Sequence, residues 1–98
     1  MDRETVIRLW ETHKDERWPR VASRHEGPLM TLDTVISGCV VYFLDSQEGL
    51  DEQRQEIVSD CLSDLEALEQ ELEEDCRPYF QRLRELGTLL LITPNTPS

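Results

Sequence analysis

The stretch that decides the fold runs from residue 50 to residue 77 and reads LDEQRQEIVSDCLSDLEALEQELEEDCR. It contains neither glycine nor proline, the two residues that most strongly disfavour a helix interior. Its apolar side chains recur at steps of three and four residues, while Asp and Glu fill most of the remaining positions. This spacing predicts a long amphipathic α-helix. Its apolar face consists of Val58, Cys61, Leu65, Leu68 and Leu72.

The apolar spacing continues past the end of this stretch, so we predict one long helix over residues 50–86. Pro78 has no backbone N–H group, and a kink or a break is therefore expected at that point. Gly87 is a natural C-terminal stop, which leaves residues 88–98 as a tail.

Two segments nearer the N-terminus are less regular. Residues 1–18 predict an N-terminal helix that stops at Pro19, because a following proline disfavours helical geometry. Residues 19–30 are interpreted as a loop, since the pair Gly27 and Pro28 is typical of a turn.

Residues 31–45 leave two alternatives open. Their apolar side chains recur at helical steps and predict a second helix, with Thr31 as its N-cap. Residues 40–43 are strand formers, however, and Gly38 weakens a helix by about 1 kcal/mol. We favour the helix, because the segment is long and no second clear strand exists for it to pair with.

The predicted elements fit one small helical domain over residues 1–98. A short connection after residue 45 makes the second helix and the long helix antiparallel neighbours, which is a helical hairpin. The second helix would span roughly 22 Å and the long helix roughly 55 Å. Half of the long apolar face therefore needs another cover.

A second copy of the chain would supply this cover. We predict an all-α fold in which two hairpins dimerise into a four-helix bundle. The alternative is a monomeric bundle of three or four helices, covered by the N-terminal helix or by a fold-back at Pro78. The predicted dimer interface consists of Val58, Cys61, Leu65, Leu68, Leu72, Tyr79 and Leu83.

The charge of the chain is concentrated in one segment. The formal net charge is −11, and residues 45–75 hold thirteen acids against the single base Arg54. Such a field disfavours direct binding to nucleic acid or to anionic lipid, and it favours a partner with a basic surface, multivalent cations or simply solubility.

The sequence also predicts a cytoplasmic protein that does not enter a membrane. The longest apolar run, residues 35–44, is half of the roughly 20 residues that a membrane span requires. The N-terminus carries charges where a signal peptide needs an apolar core. The three cysteines are odd in number and match no disulfide framework.

No motif for catalysis, for a cofactor or for a metal is present, so we expect a protein that is not an enzyme. A di-iron bundle needs Glu three residues before His, whereas Trp10 precedes His13 and Ala22 precedes His25. We interpret both histidines as exposed side chains. A rival hypothesis is a small ligand or enzyme site that uses His13, His25 or Tyr42.

The cysteines carry no redox or zinc motif, because no Cys-x-x-Cys pair occurs. We interpret them as small buried hydrophobic side chains and leave a redox switch open. They are Cys39, Cys61 and Cys76.

These observations favour a non-enzymatic regulatory or adaptor protein that binds a basic partner. One alternative is an acidic mimic of nucleic acid that inhibits a DNA- or RNA-binding enzyme. Another is a structural subunit that docks through residues 89–92. The predicted partner-binding residues are an acidic set, Asp64, Glu66, Glu69, Glu73 and Glu74, and a Trp/Arg set, Trp10, Arg17, Trp18 and Arg20.

Overall fold

A computed structural model describes residues 3–46 and 49–93, and within these ranges it contains helices and connections but no strand. The prediction of an all-α fold is confirmed. Residues 31–45 belong to a helix, which resolves the alternative left open by their composition. The helices are α1 (Arg3–Lys14), α2 (Ser23–Asp45), α3 (Glu52–Glu69) and α4 (Arg77–Ile92).

α1 is shorter than the predicted helix over residues 1–18. It ends at Lys14, and the amide of Glu16 then donates to the carbonyl of His13 at 3.1 Å. This early end releases the chain so that Trp18 packs onto α4. Residues 1 and 2 lie outside the described residues, as do residues 47 and 48 and the end of the predicted tail, residues 94–98.

α2 begins at Ser23, so the prediction of a loop over residues 19–30 is wrong in its second half. Pro28 lies inside the helix, and Thr31, the predicted N-cap, instead donates its hydroxyl to the carbonyl of Gly27 at 3.1 Å. Proline is tolerated here because it removes only one backbone hydrogen bond, near the start of the helix. The helical path buries Leu29 completely, and this tertiary gain outweighs the local turn preference.

The prediction of one long helix over residues 50–86 is wrong, because the chain turns over residues 70–76 and returns as α4. A continuous helix would place the acids of residues 69–75 at four-residue spacing, where like charges repel. The turn avoids this repulsion and brings Leu72 and Cys76 into the core, where they are 5% and 1% exposed.

Pro78 lies in the first turn of α4, where its missing N–H group costs no helical hydrogen bond. The predicted stop at Gly87 is also wrong, because α4 continues to Ile92 and includes part of the predicted tail over residues 88–98. Gly87 is instead a packing position. A β-carbon there would come within 2.8 Å of Cδ2 of Leu62, so glycine allows α3 and α4 to approach closely.

Within the described residues, the four helices pack as an antiparallel bundle. Along α3 and α4 the pairing runs in opposite directions, since Leu62 faces Gly87 and Glu69 pairs with Arg84. The chain therefore makes its own bundle by folding back before Pro78. A fold-back of this kind is one of the two ways in which a monomer was expected to bury the long apolar face.

The apolar face that was predicted to bind a second chain is covered by the chain itself. α2 and α4 pack on α3, and Leu68 alone of the seven predicted interface residues is only partly buried. A second copy is therefore not needed to cover this face, and dimerisation itself stays a prediction. The six buried residues are Val58, Cys61, Leu65, Leu72, Tyr79 and Leu83.

α2 is long and apolar enough to cross a membrane by length and composition alone. The helix predicted over residues 31–45 is too short to span a membrane, whereas α2 begins eight residues earlier, at Ser23. One side of α2 is buried in the bundle, including Leu32, Ile36 and Phe43. The core helix of a folded bundle can have the same length and composition.

Candidate protein-interaction surface

A row of four carboxylates follows the exposed side of α3. Each stands four residues after the last, which puts successive carboxylates about 6 Å apart along the helix axis. All four side chains are exposed, and no cation among the described residues lies within ion-pair distance of them. Like charges at this spacing destabilise a helix by about 0.2–0.5 kcal/mol per pair, so local stability does not explain the row. The row consists of Glu52, Glu56, Asp60 and Asp64.

The single base of this acidic segment is already engaged. Arg54 pairs with Asp51, with 2.6 Å between its Nη1 and Oδ2, and its guanidinium lies 3.8 Å from the centre of the Tyr42 ring. Asp51 also caps α3 by accepting the Arg54 amide at 2.8 Å. The positive charge is therefore used to start α3 and to join it to α2.

The structure separates the acids that were predicted to bind a partner. Asp64 and Glu66 are exposed on α3, and Glu73 and Glu74 are exposed in the following turn. Glu69 is partly buried and pairs with Arg84 of α4, with 3.3 Å between Oε1 and Nε. Glu69 thus forms an ion pair that joins α3 to α4. The exposed acidic set instead extends toward the start of α3, through Glu52, Glu56 and Asp60.

The predicted Trp/Arg set divides in the same way. Arg17 and Arg20 are exposed. Trp18 is partly buried, with its ring edge-on to Phe80 at a centroid distance of 5.6 Å. Trp10 is partly buried beside His13. Both tryptophans therefore contribute to packing among the helices.

A polar cluster that was not predicted from the sequence joins three helices, and two of its three members, His13 and Tyr79, are buried. His13 of α1 contacts Asp33 of α2, with 2.9 Å between Nε2 and Oδ1. Tyr79 of α4 donates its hydroxyl to the other carboxylate oxygen of Asp33 at 3.1 Å. The interpretation of His13 as exposed is wrong, since it is 3% exposed. A signal was present, because Asp33 is the only charged residue between Gly27 and Leu44.

The hydrogen bonds of this cluster hold α1, α2 and α4 together. Burial, together with the charge and hydrogen bond of Asp33, strongly raises the pKa of Tyr79, so its hydroxyl remains a donor. His13 lies against the Tyr79 ring at a centroid distance of 4.5 Å, and its buried Nδ1 has no hydrogen-bond partner among the described residues. With His13 and Tyr79 both buried, the cluster offers little access to a substrate.

The second histidine is also buried, against expectation. His25 is 8% exposed and accepts a hydrogen bond from Nε of Arg24 at 3.1 Å. Its Nε2 lies 3.8 Å from a carboxylate oxygen of Glu71, in the turn after α3. The three residues lie where the start of α2 meets the end of α3, so His25 also has a packing role.

The cysteines lie in the core as predicted. Cys39, Cys61 and Cys76 are buried and form no disulfide with one another. Burial raises the pKa of Cys39 and of Cys61, which keeps these groups as thiols at neutral pH. Within the described part of the chain, no group of three His, Cys, Asp or Glu side chains could hold a metal ion.

An open groove lies between α2 and α3, beside the carboxylate row. It has a volume of about 440 Å³, and among the described residues that line it, Asp64 alone is charged. A smaller depression of about 230 Å³ adjoins it at Thr31 and includes Met30, which is 50% exposed. We call the two together the α2–α3 groove. Its lining residues are Pro28, Met30, Thr31, Leu32, Thr34, Val35, Asp64, Ala67 and Leu68.

Comparison of the chain with models of protein families, with curated proteins and with solved structures found no match. The charge, burial and geometry of the surfaces described above therefore provide the basis for inferring a function.

Proposed function

We propose that this protein is a non-enzymatic regulatory or adaptor protein that acts by binding a protein partner with a basic surface. The supporting observation is the carboxylate row of Glu52, Glu56, Asp60 and Asp64, which is exposed and has no ion pair among the described residues. A partner with lysine or arginine side chains would neutralise the row.

The expected role of the row is to speed association and to orient the partner. Exposed charges on a surface of one sign act at long range and raise the association rate, and salt screens this effect. They contribute less to the lifetime of the complex, which depends on buried contacts at the centre of an interface. The row therefore needs an apolar neighbour, and the α2–α3 groove lies beside it.

The proposal is tested by isolating the partner that binds the purified chain, and by measuring the dissociation constant of the reconstituted complex. We expect the double variant Glu56→Lys, Asp60→Lys to weaken binding by about tenfold or more, equivalent to about 1.4 kcal/mol. Both residues are exposed and without ion pairs among the described residues, so the fold should be unaffected.

The matched control is the double variant Glu11→Lys, Glu85→Lys, which changes the net charge by the same amount on α1 and α4. Both of these residues are exposed. Equal weakening by the two double variants would mean that only total charge matters and would refute the proposed surface. Unchanged binding by the α3 variant would refute the function itself.

A further inference from the structure

The exposed side of α2 has no charged residue from Gly27 to Val41, in a chain of which 32% is charged. Between Gly27 and Leu44 the one charged residue is Asp33, and its carboxylate is occupied by His13 and Tyr79 on the inner side. The exposed side therefore carries no charge over four helical turns. Its exposed residues are Gly27, Pro28, Met30, Thr31, Thr34, Gly38 and Val41.

Two glycines on this side have no packing role among the residues that the structure describes. Within the described ranges, a β-carbon at Gly27 or at Gly38 would meet no neighbouring side chain or other helix within 4 Å. Glycine inside a helix costs about 1 kcal/mol relative to alanine, so each of the two glycines lowers the stability of α2. Neither glycine allows a close packing contact between the described helices. This differs from Gly87, where a β-carbon would collide with Leu62.

We infer that the exposed side of α2, together with the α2–α3 groove, binds an amphipathic helix of a basic protein partner; this rests on the proposed function. The two glycines lie eleven residues apart on one side of α2, so an incoming helix can approach the backbone closely along about 16 Å. Met30 and Leu68 present apolar surface to it at the groove.

Charge complementarity determines what kind of helix fits. The α3 edge of the groove carries Asp64, with Asp60 one turn earlier, and neither has a cation partner among the described residues. The partner helix should therefore place lysine or arginine along the edge that faces α3, and small or apolar side chains on the face that meets α2. From Gly27 to Val41 the surface is about 21 Å long, which suits a helix of about 14 residues.

A second copy of this chain fits the groove less well. Between Arg24 and Arg77 the only lysine or arginine is Arg54, which is already engaged with Asp51 and Tyr42. Arg24 is the only lysine or arginine of α2, and its Nε donates to His25, so a second α2 would bring one positive charge, at its first turn, to the carboxylates of the groove edge. It would also bring another net charge of −11.

The test uses two fluorescent synthetic peptides of one composition, built from alanine, leucine and lysine. One peptide forms an amphipathic helix with lysines along one edge, and in the other the order is shuffled so that no apolar face forms. Fluorescence anisotropy measures the dissociation constant of each for the full chain. We expect the amphipathic peptide to bind about tenfold or more tightly than the shuffled one.

Two variants block the groove without touching the core. Thr31→Gln adds a longer side chain at the groove, and Gly38→Gln fills the close approach. We expect each to weaken the amphipathic peptide by about tenfold. The matched control is Thr12→Gln, because Thr12 is also exposed in a helix and also donates its hydroxyl to the carbonyl four residues earlier.

The outcomes separate the inference from the proposed function. If both peptides bind equally, or if neither groove variant changes binding, the helix-binding groove is refuted while a charge-dependent partner surface can stand. If a partner of the wild-type chain depends on Glu56 and Asp60 but not on Thr31 and Gly38, the same conclusion holds. If the measured mass of the wild-type chain is above 11.5 kDa and Gly38→Gln restores it to 11.5 kDa, the groove binds a second copy of the chain and the inference is overturned. If the unliganded chain binds neutral lipid vesicles and Gly38→Gln abolishes this binding, the surface binds a membrane and the inference is also overturned.

Discussion

His13 and Tyr79 lie in different helices, yet both bind the same carboxylate, that of Asp33. The two contacts use opposite oxygens, at 2.9 Å to His13 Nε2 and 3.1 Å from the Tyr79 hydroxyl. Asp33 thus joins α1 to α4 through α2. A polar cluster of this kind favours this arrangement of the helices, because separating His13 or Tyr79 from Asp33 would remove the hydrogen bond of a buried polar group.

Replacing Asp33 should therefore reduce stability. We expect Asp33→Asn to lower the free energy of unfolding by about 1–3 kcal/mol, because the charged acceptor shared by His13 and Tyr79 is lost. Urea unfolding followed by circular dichroism measures the change. Asp64→Asn makes the same chemical change at an exposed position and should stay within about 0.5 kcal/mol of the wild type. Equal effects at the two positions would contradict a fastening role for Asp33.

The raised pKa of Tyr79 predicts a loss of stability in alkaline solution. Above about pH 10 the tyrosine of the unfolded chain ionises while the buried Tyr79 stays protonated, so the unfolded state becomes relatively more favourable. We expect Tyr79→Phe to be less stable than the wild type by about 1 kcal/mol at neutral pH, since it loses the hydrogen bond to Asp33. The difference should shrink as the pH rises above 10, because only the wild type loses stability through Tyr79.

The measurement is the free energy of unfolding of both proteins between pH 7 and pH 11. The raised pKa values of Cys39 and Cys61 lower stability in the same direction, but they do so equally in both proteins. Tyr42→Phe is the control, because it keeps the ring that Arg54 covers. A difference between wild type and Tyr79→Phe that stays constant with pH would exclude the expected role of this hydroxyl.

The glycines of α2 and α4 should respond oppositely to alanine. At Gly38 there is open space, so Gly38→Ala should raise the free energy of unfolding by about 0.5–1 kcal/mol through helix propensity. At Gly87 the added β-carbon would come within 2.8 Å of Leu62, and we expect that gain to be cancelled or reversed. Thermal and urea unfolding compare the two variants, and an equal gain at both sites would show that Gly87 has no packing role.

The cysteine thiols should react only when the bundle opens. Cys39, Cys61 and Cys76 are buried, and burial raises the pKa of the first two. We expect a thiol reagent such as DTNB to label the native chain slowly, and the rate to rise with urea in parallel with the unfolded fraction. Rapid labelling of a thiol in the native chain would contradict its burial and would reopen a redox role for it.

The helical character of the chain was predictable, and its path was not. The spacing of Val58, Cys61 and Leu65 identified the core face of α3 correctly. The fold-back over residues 70–76 was not predicted as such, because the same apolar steps continue through Leu72. A periodic pattern states which side of a helix is apolar, but it does not state whether the helix continues.

The candidate sites show the same limit. The acidic set was recognisable from composition, but its engaged member, Glu69, could not be told from an exposed member such as Glu66, because pairing with Arg84 requires the turn between α3 and α4. The link between His13 and Asp33 was equally hidden. The two residues are twenty positions apart, and only the packing of α1 on α2 brings them together.

The sequence by itself determined the helical class, the apolar faces and the location of the negative charge, because these follow from local spacing and from composition. The tertiary structure alone decided where α2 begins, that α3 ends at Glu69, and which polar groups are buried together. The physical reason is that burial of Leu29 and Leu72 outweighs local preferences of about 1 kcal/mol. This gain exists only when distant parts of the chain meet.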